Sequence, residues 1–360
     1  MSGTSAESVL VRSRFVSRPL RAARPIDDAV TNVFSMWLIG ALFADGWAHV
    51  NVPALESFFT PWHLALYSGF LALAGWIAWL SRPARRLQPP VGYTLGAVGV
   101  IVFGVGGAAD LTWHQIFGVE AGVDALVSPS HLILLAGALL IVTSPLRSAW
   151  WGRGEPSAAS AATQLPGLVA LVLATALAAF FLAYASVFTA ADATQAVTTI
   201  PEGQPGHEAG ELPALLGLTR YVITTALIVI PLLLLFRRGP IRFGGVTALV
   251  GAVAWLSVAM VGLPHAQVLA TAVVTVAAVA ADLLLVAIDR RRGPEARHRL
   301  ALAGALLPGL LWPAHLAGLA VAEGISWPVE LWTGIVAVTA LTGVALALLT
   351  QPGRRLLTAG

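Results

Sequence analysis

The chain has 360 residues, of which 57% are hydrophobic and only 11% charged, far below the roughly 25% charge of a soluble domain. It has no cysteine, which excludes disulfides, zinc–thiolate sites and iron–sulfur clusters. The net charge of +3 comes from basic residues that are all arginine, and their clustering in loops between apolar runs reads as membrane topology, not nucleic-acid binding.

Residues 1–28 carry Arg12, Arg14, Arg18, Arg21 and Arg24 without an apolar core and cleavage site, so they read as a cytoplasmic tail. Apolar runs of about twenty residues follow, long enough to cross a bilayer as helices and too long for barrel strands. Spans are expected at 30–50, 62–81, 93–117, 126–146, 166–189, 213–236, 243–262, 266–288, 300–322 and 328–350. The fold class is therefore an all-α polytopic membrane protein with about ten transmembrane helices. Residues 29–150 form a four-helix region of two hairpins, and 151–165 a cytoplasmic linker. Residues 166–350 form a six-helix membrane region with a long outer loop at 190–212, and 351–360 a second cytoplasmic tail.

The arginines test this scheme. Arg82, Arg85 and Arg86 follow span two, Arg147 and Arg153 span four, and Arg237, Arg238 and Arg242 span six. Arg290, Arg291 and Arg292 follow span eight, and Arg354 and Arg355 span ten. The alternate loops near 51–61, 118–125, 190–212, 263–265 and 323–327 hold none. The positive-inside rule places both termini in the cytoplasm, in the inner membrane of a cell. Arg220, within span six, is the exception, and an intramembrane arginine needs a carboxylate partner, expected from the outer cluster.

Histidine takes the opposite face. His49, His63, His114, His131, His207, His265 and His315 fall toward the extracytoplasmic side, and only His298 lies on the other. Four of them belong to a repeated pattern. Asp45 and His49 are four residues apart, as are Asp110 and His114, which puts each pair on one helix face. Thr60-Pro61 precedes His63 as Ser128-Pro129 precedes His131; a hydroxyl N-cap followed by proline starts a helix and places the histidine in its first turn. Glu56 and Asp124 each lie seven residues before that histidine, and Gly69 and Gly137 each six after. The two hairpins thus read as an internal duplication. Each gathers two imidazoles and one carboxylate, a set suited to copper, iron or zinc with open coordination positions. Glu56, Glu120 and Asp124 are candidate proton carriers or outer ligands, and His265, His315 and Arg220 candidate additional site residues. Asp282 and Glu330 are weaker candidates on a proton path.

The run "DGWAH…FFTPWH" followed by "DLTWH…VEAGVDALVSPSH" resembles the C subunit of the copper membrane monooxygenases, the particulate methane and ammonia monooxygenases, over about residues 30–147. The resemblance implies copper held by Asp45, His49 and His63, and again by Asp110, His114 and His131. Asp110 stands where that family usually has asparagine, and the spans after residue 160 have no counterpart. It also implies O2-dependent hydroxylation of a small or lipophilic substrate, with an electron donor such as a quinol, and other membrane subunits or further copies of the chain as partners. Two other functions use the same ligands: a zinc-dependent intramembrane hydrolase, and a non-catalytic copper-binding, assembly or transport protein. Only three methionines and no cysteine argue against carriage of cuprous ion, which prefers soft sulfur.

Overall fold

Helices begin where the sequence supplies a start signal. Proline occupies the first position of α1 (Pro25–Asn51), α2 (Pro61–Leu80) and α5 (Pro129–Val142), where its missing N–H costs nothing. The computed structural model describes residues 21–52, 59–82, 88–118, 122–151, 161–239, 242–292 and 296–351. The other helices are α3 (Thr94–Phe117), α4 (Val123–Val127), α6 (Ser144–Trp151), α7 (Ala161–Phe181), α8 (His207–Arg238), α9 (Gly245–Met260), α10 (His265–Arg292), α11 (Ala296–Ala322) and α12 (Val329–Leu349). No strand occurs among the described residues.

Nine helical stretches among the described residues are long and apolar enough to cross a bilayer. The seventh expected span, 243–262, is the one that falls short of that length. α9 has 16 residues, about 24 Å at 1.5 Å per residue, against the roughly 30 Å of hydrocarbon. Gly244 at φ +96° and Gly262 at φ +86° fix its two ends, a backbone state other residues rarely adopt. Val246, Leu249, Val250, Val253 and Ala254 are fully buried, so α9 is a core helix packed between α7 and α10.

The fourth span, expected as one run at 126–146, is broken twice. Ser128 separates α4 from α5, and Thr143 separates α5 from α6. Pro145 explains the second break, since it removes a ladder donor and its ring crowds the carbonyl four residues back. Arg147, expected in a loop, is instead buried: it donates to the Leu140 carbonyl at 2.6 Å, the Gly92 carbonyl at 3.0 Å and Ser144 Oγ at 3.0 Å. α7 begins at Ala161, inside the expected linker.

Two large apolar cores result, one built mainly from α1, α2, α3, α5 and α7 and the other mainly from α8 to α12, with a small third cluster of Leu146, Ala170 and Leu171. At the end where α1 begins, a buried polar network ties the first core together. The Asp28 carboxylate accepts from the Tyr93 hydroxyl at 2.7 Å and Ser148 Oγ at 3.1 Å. Thr31 Oγ1 lies 2.9 Å from the Tyr93 hydroxyl and accepts from Trp76 Nε1 at 3.0 Å.

Asp282 on α10 has a structural role that its sequence position did not reveal. It is fully buried and accepts from the backbone N–H groups of Val246 at 3.1 Å and Thr247 at 2.9 Å, and from Thr247 Oγ1 at 2.6 Å. It therefore caps α9 from a neighbouring helix, satisfying donors that a helix start leaves unpaired. Asp282→Ala is expected to destabilise the fold by about 2–3 kcal/mol, read as a lowered thermal midpoint in detergent; Asp282→Asn should recover part of the loss.

Candidate metal centre

The first ligand group grows from local rules. One turn of α1 separates Asp45 from His49. Thr60 Oγ1 accepts the His63 N–H at 3.1 Å, fixing the start of α2 and aiming His63 back at α1. His63 Nε2 is then 3.5 Å, and His49 Nε2 3.7 Å, from the same oxygen, Asp45 Oδ2. The second group repeats this. His131 Nε2 is 3.2 Å, and His114 Nε2 3.6 Å, from Asp110 Oδ1. The imidazole pairs match as well, with ring centroids 6.0 Å apart at 59° in one and 5.9 Å apart at 62° in the other. Within each group one ligand atom per residue lies within 4.8 Å of the others. All six predicted ligands are therefore brought together as two sets of three.

Helix packing sets these distances. A Cβ on Gly69 would lie 3.1 Å from the Leu38 backbone, and one on Gly137 only 2.5 Å from the Phe103 backbone nitrogen. Leu38 and Phe103 each lie seven residues before the ligand aspartate. Both hairpins thus press the glycine of the second helix onto the same place on the first, two turns from the ligands.

The orientation of His114 is informative. Its Nδ1 lies 3.1 Å from the Gly118 carbonyl, which can only accept, so Nδ1 carries a proton. Nε2 is then the nitrogen turned toward Asp110, its lone pair placed for an ion shared with that carboxylate. This tautomer lock is the arrangement that metal-binding histidines use. Ser130 Oγ also donates to Asp110 Oδ1 at 3.0 Å, and Ser128 Oγ sits 2.8 Å from His131 Nδ1. The first group has Trp62 where the second has Ser130, and Trp62 packs edge-on against Trp47 instead.

Both groups line a single cavity of about 390 Å³. Its floor is apolar: Leu38, Ile39 and Leu42 from α1, Leu134 and Ala138 from α5, and Leu177 and Phe181 from α7. Tyr67, one turn beyond His63, is on the wall, as are Tyr184, Thr189 and Met260 from the six-helix region. That region also leans directly on the first group: a Cβ on Gly46, next to Asp45, would lie 2.5 Å from the Phe180 ring and 3.1 Å from the Met260 sulfur. The walls supplied by α7 and α9 had no signal in the sequence beyond apolarity.

Other candidates fare differently. Glu56 and Glu120 lie outside the described residues. Asp124 is exposed on α4, whereas its neighbours Val123 and Ala125 face the cavity. His265 opens α10 in an exposed position. Glu330, in the first turn of α12, is also exposed. His207 donates from Nδ1 to the Ile200 carbonyl at 2.6 Å. His315 is buried apart from either group, its Nδ1 2.8 Å from the Tyr221 hydroxyl and its ring boxed by Phe188 and Trp312. Arg220 finds its carboxylate in Asp192 of the irregular segment between α7 and α8, not in a ligand group, and its Nε donates to the Tyr184 carbonyl at 3.2 Å.

No family model, curated protein or solved structure matches this chain. Fold and site define a multi-pass helical membrane protein with two histidine–aspartate groups that could each hold a metal ion.

Proposed function

We propose that the protein is a membrane metalloenzyme that binds copper in both groups and hydroxylates a lipophilic substrate with O2. The observation that carries this reading is the paired Asp-His-His geometry opening onto one mostly apolar cavity. The donor set fits the metal: two nitrogens and one carboxylate oxygen in each group leave coordination positions open. A redox metal bound there supplies electron transfer to O2. The chain's residues supply the rest. His114 is held in one tautomer by Gly118, Ser130 steadies Asp110, and the apolar walls admit a hydrocarbon while keeping bulk water out. In the overall reaction a C–H bond of the substrate is broken and one oxygen atom of O2 is inserted. The other oxygen leaves as water, and a quinol supplies the two electrons and two protons.

Topology and ancestry belong to the same proposal. With α9 counted as a short tenth crossing, the arginine pattern supports cytoplasmic termini and a site toward the extracytoplasmic face of the inner membrane. The matched spacings support an ancient duplication of one hairpin.

The test is elemental analysis and EPR of the protein purified in lipid nanodiscs. The expected result is two copper equivalents, falling to one in His63→Ala and to one in His131→Ala. Two equivalents of zinc with no redox signal would replace this reading with a hydrolase that activates water. No bound metal after supply of copper, iron and zinc would end both.

A further inference from the structure

We infer that a file of water molecules runs along α1 from the Asp28–Tyr93 network to the floor of the cavity, giving protons a route to the ligand groups from the opposite face of the membrane. This goes beyond the metal reading, because the route serves any proton-coupled chemistry in the cavity, whichever ion is bound.

The argument starts from one helix face. Asp28, Asn32, Ser35, Ile39, Leu42 and His49 follow the three-and-four spacing that keeps residues in one stripe. Its first three members are polar and buried, with Asp28 and Ser35 fully so and Asn32 4% exposed. Ile39 and Leu42 then line the cavity, and His49 belongs to the first ligand group. The stripe begins near the surface, where Arg24, largely exposed, pairs with Asp27 at 2.8 Å.

Two atoms in this stripe lack partners. Asn32 Nδ2 donates to the Pro166 carbonyl at 2.8 Å, yet Asn32 Oδ1 and Ser35 Oγ are buried with no hydrogen-bond partner. Leaving a buried polar group unpaired costs about 1–3 kcal/mol, and buried water is the usual remedy. Ser35 and Asn32 are three residues apart, about 4.5 Å along the axis, and Leu38 on the cavity floor is the same distance further on. One water between Asn32 Oδ1 and Ser35 Oγ would satisfy both atoms, and the file continues from Ser35 to the cavity floor. Ser257 and Thr271 also carry unpaired buried hydroxyls, but they lie on α9 and α10, off the α1 stripe that leads to the cavity. They serve as a reference away from the route.

The natural absence of cysteine permits a clean test. A single Ser35→Cys thiol gives the only S–H stretch in the infrared spectrum, and its conversion to S–D after transfer of the full-length protein in nanodiscs to D2O reports water at that point. The expected result is exchange at least ten-fold faster than in Ser257→Cys. Because the route is open at both ends, exchange should stay fast when Asn32→Leu or Leu42→Phe is added alone, and slow at least ten-fold only with both. Equal rates for Ser35→Cys and Ser257→Cys would overturn the inference. So would full slowing by either plug alone, which describes a dead-end pocket. Size-exclusion profiles identify any variant that fails to fold, and Leu42→Met then replaces Leu42→Phe.

Discussion

Gly137→Val is expected to dismantle the second ligand group while leaving the first intact. A Cβ at that position would sit 2.5 Å from the Phe103 nitrogen and 2.8 Å from its Cα. Both are backbone atoms of α3, so no side chain can swing away and the helices must separate. Overpacking of a tight core costs about 1–3 kcal/mol, and a backbone clash belongs at the upper end. His131 rides on α5 and Asp110 on α3, so the 3.2 Å contact between them opens with the helices. The measurable outcome is loss of one of two metal equivalents together with a lower thermal midpoint. Gly40→Ala is the control: nothing lies within 4 Å of its Cβ, and the change should be neutral or stabilising by about 0.5–1 kcal/mol. A Gly137→Val protein with both equivalents and an unchanged midpoint would show that the close contact does not hold the site.

Arg220→Ala is expected to be the most damaging single charge removal. Its partner Asp192 is 7% exposed, so the substitution strands a carboxylate in an apolar setting. Breaking a buried pair from one side costs about 3–5 kcal/mol. The lost Nε contact to the Tyr184 carbonyl also frees a residue that lines the cavity, so the rim should loosen. Asp192→Ala should be similarly harmful. The double variant Arg220→Met with Asp192→Leu should recover most of the stability, because an apolar pair of similar bulk avoids the desolvation cost of two charges. Unfolding of this double variant beside Arg220→Met alone and Asp192→Leu alone gives the coupling directly, and additive losses would contradict a shared pair.

The ligands could be read from the sequence because their chemistry is local. An aspartate and a histidine four apart share a helix face by geometry alone, and Thr60-Pro61 announces both a helix start and the histidine that follows. Most spans were legible for the same reason, since bilayer thickness dictates their length. What escaped is long-range. Asp192 lies in an irregular segment, and nothing in its neighbourhood names Arg220 as its partner. Asp282 resembled a proton carrier until its three donors on α9 came into view. Leu177 and Leu165 are chemically identical, yet Leu177 is buried on the cavity wall and Leu165 is 59% exposed. No pattern within α7 separates wall from lipid-facing surface.

The bare backbone at Gly46 makes the two halves mechanically one. With no side chain there as a cushion, the Phe180 ring rests against the peptide next to a ligand. A tilt of α7 is therefore transmitted to Asp45 at once, as through a fulcrum, and the first four spans produced alone would lose the brace that keeps their first clamp in shape.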